Sequence, residues 1–217
     1  MDAYIQSISD ARANMRQSKP IIIVHGGAGD WPSELHKRGL NGVRRAADRG
    51  FRILSSGGSA LDAVQVAIVS LEDDPLFNAG RGSTLNLRGE IETDAAIMDG
   101  KTLRGAGVAL LRDIGNPIKA ARIVFEKTDH VLIAGPAAGD LAIANGLAKA
   151  NLRVSSRVKV WKEGLRKLES KRVSYLSRTS PEIIRHFLPK SADTVGALCL
   201  DSNGNLACGL LHWRSLA

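Results

Sequence analysis

A threonine opens an apolar run directly after a long basic stretch, in the order Asp193-Thr194-Val195-Gly196-Ala197. If the peptide bond between Asp193 and Thr194 is cut, Thr194 becomes a new N-terminus. Its α-amino group, with a pKa of about 7.7–8.0, then takes the proton from its own hydroxyl, so that nucleophile and base share one residue. Threonine at the start of a strand is also commonplace, so the spacing alone leaves a purely structural role open. Three glycine clusters are candidate phosphate cradles: His25 to Gly29, Gly57-Gly58, and Asn78-Ala79-Gly80-Arg81-Gly82. None has the dinucleotide fingerprint or the P-loop lysine, and the first runs into Asp30-Trp31-Pro32 instead of a helix. Tight turns and close backbone approach explain them better. His25, His36, His130, His186 and His212 show no metal-ligand spacing. Cys199 and Cys208 sit in apolar contexts and suggest neither a disulfide framework nor a zinc site.

These residues need elements to hold them. Ile21-Ile22-Ile23-Val24 reads as a buried strand ending in the first glycine loop. Ser33 to about Leu54 reads as a helix closed by Gly57-Gly58. Ser59-x-x-Asp62 starts a second helix, with Leu61, Val64, Ile68 and Leu71 on one face. Gly82 to Asp99 reads as loop and strand, and Gly105 to Leu111 as a buried strand. Asn116-Pro117 opens a helix through Phe125, with proline in its first turn. Val131 to Ala134 leads towards a further helix ending near Asn151. Val158, Trp161, Leu165 and Leu168 line one side of a short helix, helped by Glu163 and Lys167 at i,i+4. From Ser170 to Ala192 the chain is polar and basic, broken by Pro181 and Pro189, and reads as a linker. Thr194 to Asp201 is a strand, Ser202 to Asn205 a hairpin turn, and Leu206 begins the returning strand.

The chain has 217 residues, 44% hydrophobic and 24% charged, which excludes a collagen, a disordered tail or a low-complexity array. No apolar run approaches the roughly 18–20 residues of a membrane helix. Met1 to Pro20 mixes Asp2, Asp10, Arg12, Arg16 and Lys19 with few apolar residues, unlike a signal-peptide core, so a cytoplasmic protein is expected. The net charge of +8 would suggest nucleic acid, yet residues 151–190 hold eleven basic and three acidic residues, the whole of the excess. The high charge belongs to that segment and not to the fold.

Five motifs follow one another in order: Ile23-Val24-His25-Gly26-Gly27-Ala28-Gly29; Gly57-Gly58-Ser59-Ala60-Leu61-Asp62-Ala63-Val64; Leu76-Phe77-Asn78-Ala79-Gly80-Arg81-Gly82-Ser83; Asp94 to Met98 with Asp99-Gly100; and Asp193 to Ala197. Together they resemble the plant-type (type 2) L-asparaginase and isoaspartyl-peptidase family of N-terminal-nucleophile hydrolases, from about Pro20 to Cys208. The resemblance implies a layered α/β fold, an αββα sandwich made as one precursor that cuts itself before Thr194. Residues 1–19 would be an N-terminal extension, 20–150 the core of the α chain, 151–193 a basic linker ending at the cut, and 194–217 the start of the β chain. The two chains would stay together, and two such pairs would form a homodimer. Thr194 would attack the side-chain amide of L-asparagine or the isopeptide bond of a β-aspartyl dipeptide, and water would release aspartate from the acyl-threonine. By position, Asp193 lies on the acyl side of the cut, Asn78 helps to hold the nucleophile, and Gly26 and Gly27 belong to a loop linked to autoprocessing. Backbone carbonyls of Leu71, Glu72, Asp74, Phe77, Ala79 and Arg81 would wrap a structural sodium ion. No other cofactor, and no nucleic-acid or membrane partner, is implied; RNA binding by the basic linker is the less favoured reading.

Past Cys208 the likeness stops. Relatives continue Ala-Thr-Ser-Thr-Gly-Gly, whereas this chain reads Gly209-Leu210-Leu211-His212-Trp213-Arg214-Ser215-Leu216-Ala217. The threonine that supports the nucleophile in the family falls at His212. The family's later arginine and aspartate, which grip the substrate's α-carboxylate and α-amino groups, have no counterpart, nor has the Thr-Gly pair of the oxyanion hole. Substrate-binding residues are therefore unassigned, and an inactive remnant of the family is the alternative expectation. Such a remnant would leave an apolar sheet face bare. The segment 209–217 can be written in codons that, read one base later, give Ala-Ser-Ser-Thr-Gly-Gly-Leu-Trp. An out-of-frame reading of the family sequence is thus expected there.

Overall fold

The computed structural model describes residues 18–28, 31–86, 88–169 and 194–213. Among the described residues six strands form one sheet: β1 (Ile21–His25), β2 (Thr93–Asp99), β3 (Arg104–Leu111), β4 (Leu132–Ala134), β5 (Thr194–Leu200) and β6 (Leu206–Trp213). Their spatial order is β1-β5-β6-β2-β3-β4. Neighbours are antiparallel except β3 and β4, which are parallel. A parallel pair needs a crossover, and helix α3 (Pro117–Lys127) supplies it.

Four of the described helices pack on one face of the sheet. Helix α1 (Ser33–Ser55) approaches closely because four of its five buried positions, Gly39, Gly42, Ala46 and Gly50, are small, the fifth being Leu54. A Cβ on Gly42 would fall 2.5 Å from the Phe77 ring, and one on Gly50 2.4 Å from Ile22 Cδ1. Helix α2 (Ala60–Glu72) starts at the expected cap: the Ser59 hydroxyl accepts from the Asp62 N–H at 3.1 Å and donates to the Asp62 carboxylate at 2.7 Å. Its Ala63, Val64, Ala67, Ile68 and Leu71 are fully buried between α1 and strands β5 and β6. Beneath them lie Val195, Ala197 and Cys199 of β5, Ala207 and Leu211 of β6, and Ala95 and Ile97 of β2. Burial pushes the Cys199 thiol up to about 12, so it serves as packing.

Helix α4 (Pro136–Ala144) is shorter than the helix expected to end near Asn151. Gly146, at φ 90°, closes it. The Gly146 N–H donates to Ile143 at 2.9 Å and the Leu147 N–H to Ala142 at 3.0 Å, the paired bonds of a glycine-terminated helix. Helix α5 (Ser155–Glu169) forms within the basic segment, with Val158 and Trp161 packed against Leu85, Ile91 and Leu152 in a separate small core. The remainder of the expected linker, residues 170–193, lies outside the described residues, as do 1–17 and 214–217. No described helix is long and apolar enough to cross a membrane.

The sheet's other face carries no helix among the described residues. Ile21, Ile23, Leu198, Leu206 and Leu210 alternate with the buried set and are 43–61% exposed. The described residues thus supply one helix layer and one sheet of the expected sandwich.

Candidate active site

Thr194 is the first residue of β5, and its place follows from the hairpin that joins β5 to β6. Asp201 fixes that hairpin: its carboxylate accepts from the N–H groups of Asn203 and Asn205, both at 2.9 Å, and from the Asn205 side chain at 3.1 Å. It also accepts from the Ala60 N–H at 3.3 Å, tying the turn to the start of α2. Burial pushes this carboxyl up, but the donors of Asn205, Ala60 and Asn203 outweigh it and hold it below the usual carboxylate value. Counting back from the turn pairs Leu200 with Leu206 and Thr194 with His212.

On the far side of β6, His212 is paired with Asp94 of β2. Thr194, His212 and Asp94 therefore form one row across three adjacent strands, on the face away from the helices. His212 Nδ1 lies 3.0 Å from Thr194 Oγ1. Asp94 sits where the β2–β3 register shifts, and its carboxylate accepts from the Leu110 N–H at 2.8 Å. Leu110 has φ 53°, a left-handed conformation costly for a leucine, so strain is held beside this row. From the other edge, His25 Nδ1 donates to the Thr194 carbonyl at 2.8 Å. A carbonyl only accepts, which fixes the His25 proton on Nδ1.

Gly26 and Gly27 follow His25 at the end of β1. A Cβ on Gly26 would meet Val43 Cγ2 at 2.5 Å and the Phe77 ring at 2.9 Å, and Gly27 has φ 116°. Both border an open cavity of about 350 Å³ with Trp31, Val43 and Phe77. Asn78 is buried, and its Oδ1 accepts from the Thr84 N–H at 2.9 Å and hydroxyl at 3.2 Å. Its amide nitrogen has no hydrogen-bond partner among the described residues, and no hydrogen bond joins it to Thr194. Asp193 lies outside the described residues.

Leu71, Glu72, Asp74, Phe77, Ala79 and Arg81 lie on the end of α2 and the loop that follows it. Backbone oxygens crowd this loop: a Cβ on Gly82 would sit 1.9 Å from the Phe77 carbonyl oxygen, and one on Gly80 2.9 Å from that of Glu72. Glycine is required at both positions. The Glu72 carboxyl, accepting from the Ile118 N–H at 2.9 Å, is driven by burial to a pKa of about 8. The carbonyls of Leu71, Asp74 and Ala79 each accept a backbone N–H, from Asp74, Phe77 and Gly82, and a carbonyl oxygen has a second lone pair for an ion. Among the described residues no cluster of side chains offers a metal site.

Sequence reasoning placed no catalytic role on His212, Asp94 or His25. The signal for His212 was present, since the hairpin turn at Ser202–Asn205 sets the pairing opposite Thr194. The Asp94 contact was not legible, because a register shift cannot be read from residue types.

Residues 18–210 match the asparaginase family. The chain belongs to that family. An asparaginase-family relative from Xenopus laevis, named isoaspartyl peptidase/L-asparaginase, is 42% identical over 193 residues, which is 88% of this chain and 58% of the relative. The protein of that name from Homo sapiens is 42% identical over 189 residues, 87% of this chain and 58% of its own length. The plant-type L-asparaginase of Pyrococcus horikoshii is 44% identical over 181 residues, 83% of this chain and 59% of its own. This asparaginase-family chain thus spans less than two thirds of the length of the relatives it matches.

Proposed function

We propose that this chain carries the hydrolytic chemistry its relatives are named for, with Thr194 as nucleophile after a cut between Asp193 and Thr194. The freed α-amine takes the hydroxyl proton, Oγ1 attacks the side-chain carbonyl of L-asparagine or of a β-aspartyl dipeptide, and the protonated amine returns that proton to the substrate's leaving nitrogen. An acyl-threonine forms, and water attacks it to release aspartate. The observation that carries this reading is the half-buried Thr194 hydroxyl at the head of β5, 3.0 Å from an imidazole, with its carbonyl held by His25. Asn78, whose amide nitrogen has no partner among the described residues, is assigned by the family resemblance to donate to the nucleophile or to the acyl oxygen. Gly26 and Gly27 leave the chain beside Thr194 free of side chains, as a loop that must shift during the cut requires.

The proposal extends to a structural sodium ion held by the carbonyls of Leu71, Glu72, Asp74, Phe77, Ala79 and Arg81. It also extends to a homodimer of cut pairs in the cytoplasm. Intact mass after prolonged incubation tests the central step. Two fragments joining between Asp193 and Thr194 are expected, and Thr194→Ala should stay whole. Ammonia release from L-asparagine and dipeptide loss from β-aspartyl substrates then test the reaction. An uncut chain with no turnover would overturn the reading in favour of an inactive family member.

A further inference from the structure

We propose that His212 is the base that takes the hydroxyl proton of Thr194 while Thr194 is still joined to the residue before it. This rests on the reading of Thr194 as nucleophile and concerns the step at which a free α-amine does not yet exist. In the uncut chain the Thr194 nitrogen is an amide, its lone pair delocalised into the carbonyl, and it accepts no proton. Self-activation is therefore closed to the precursor.

The chain places another acceptor at the same atom. His212 Nδ1 lies 3.0 Å from Thr194 Oγ1, within reach of direct proton transfer. The two residues are cross-strand partners on β5 and β6, so rigid strands set their separation instead of a loop. Nδ1 accepts when the imidazole is neutral with its proton on Nε2. On the opposite side of His212, Asp94 occupies the paired position on β2. Its carboxylate, anchored by the Leu110 N–H, is a negative group on the strand beside the imidazolium that proton transfer creates. The position is also the one where the family resemblance calls for threonine, a residue that hydrogen-bonds but does not act as a base near neutral pH. The histidine therefore adds a capacity there.

The step balances with water as the one added reactant. The proton leaves Oγ1 for Nδ1 as Oγ1 bonds to the carbonyl carbon preceding Thr194. The carbon–nitrogen bond breaks and His212 returns the proton to the departing nitrogen. An ester on Oγ1 remains, and water cleaves it to a carboxylate and the free hydroxyl.

The test measures hydroxyl reactivity in chain that is still whole by intact mass, where no free α-amine competes with His212 as the base. The full chain is treated with phenylmethylsulfonyl fluoride, and sulfonylation of Thr194 is followed by peptide mass. Thr194 in the native chain should accumulate adduct. His212→Asn keeps a hydrogen-bonding group near the Nδ1 position but no base, and should slow it at least tenfold. His212→Ala should be equally slow and regain rate with added imidazole. Should His212→Ala not fold, the asparagine variant decides. No Thr194 adduct in the native chain, or an asparagine variant labelled at the native rate, would overturn the proposal. So would a slow alanine variant that imidazole does not restore. Fragments at Asp193–Thr194 are scored separately: adduct without fragments refutes self-cleavage and leaves the role of His212 standing.

Discussion

Replacing Asp201 with asparagine is expected to cost about 3 kcal/mol of stability. Asp201 is 2% exposed, and each of its carboxylate oxygens has two donors. Asparagine keeps Oδ1, which still accepts from the N–H groups of Asn203 and Asn205. It puts an amide NH₂ where Oδ2 faced the Asn205 side chain at 3.1 Å and the Ala60 N–H at 3.3 Å, so two donors then confront a donor. Hydrogen bonds to a charged group contribute about 1.5–3 kcal/mol each. The long Ala60 contact puts both near the lower limit, hence the figure of about 3. For a chain of this size that corresponds to a fall in melting temperature of roughly 6–12 °C. Equilibrium unfolding in guanidinium should show a lower midpoint at unchanged slope. The pH dependence gives an independent check. The folded pKa of Asp201 is depressed, so its stabilisation is present above the unfolded value of about 3.9 and is lost as pH falls through the folded value. The gap between native and variant should therefore close in acid. A change under about 1 kcal/mol at neutral pH, or a gap undiminished near about pH 2, would refute the view that this carboxylate pins the hairpin.

Three further outcomes follow from packing and from the loop after α2. Gly209→Ala should destabilise by about 1–3 kcal/mol in thermal melts, because its Cβ would lie 2.8 Å from Val64 Cγ1 and 2.9 Å from Ile68 Cδ1. Trp161 Nε1 has no hydrogen-bond partner among the described residues, so Trp161→Phe should cost under about 1 kcal/mol, whereas Trp161→Ala should cost about 2–4. Denaturant titration separates the two, and equal losses would show that the indole nitrogen matters. Exchanging sodium for choline at constant ionic strength should lower the melting temperature if the carbonyl loop holds the ion, and an unchanged melt would remove the ion from the proposal.

Elements marked by strong local chemistry were legible in the sequence. The β-branched run before His25, the Ser59 cap, Pro117 in a first turn and the Asn-Gly turn of the β5–β6 hairpin all produced the elements they signal. The helix expected to end near Asn151 stops at Ala144, because the left-handed Gly146 closes it. Thr194 itself stood out by its place after a basic segment. The row it joins did not, because it depends on the pairing of β6 with both neighbours and on the displaced register that turns Asp94 towards Leu110. Such contacts are decided by non-local pairing, which residue types in one chain do not encode position by position.

The apolar character of the strands carries one more consequence. Strands covered on one face alternate apolar and polar residues, whereas strands covered on both read as continuous apolar runs. Ile21 to Val24 and Val195 to Leu200 are of the second kind. Their alternate members Ile22, Val24, Val195, Ala197 and Cys199 meet the helices, while Ile21, Ile23 and Leu198 point away from them. A sheet apolar on both sides is suited to a second layer, as in the αββα arrangement implied by the family resemblance. Thr194, His212 and Asp94 end the strands on that same open face, where apolar side chains give way to a hydroxyl, an imidazole and a carboxylate. A covering layer would put those polar groups at the rim of an apolar interface. There the low dielectric would strengthen the Thr194–His212 hydrogen bond, and bulk water would be kept from competing for the nucleophile.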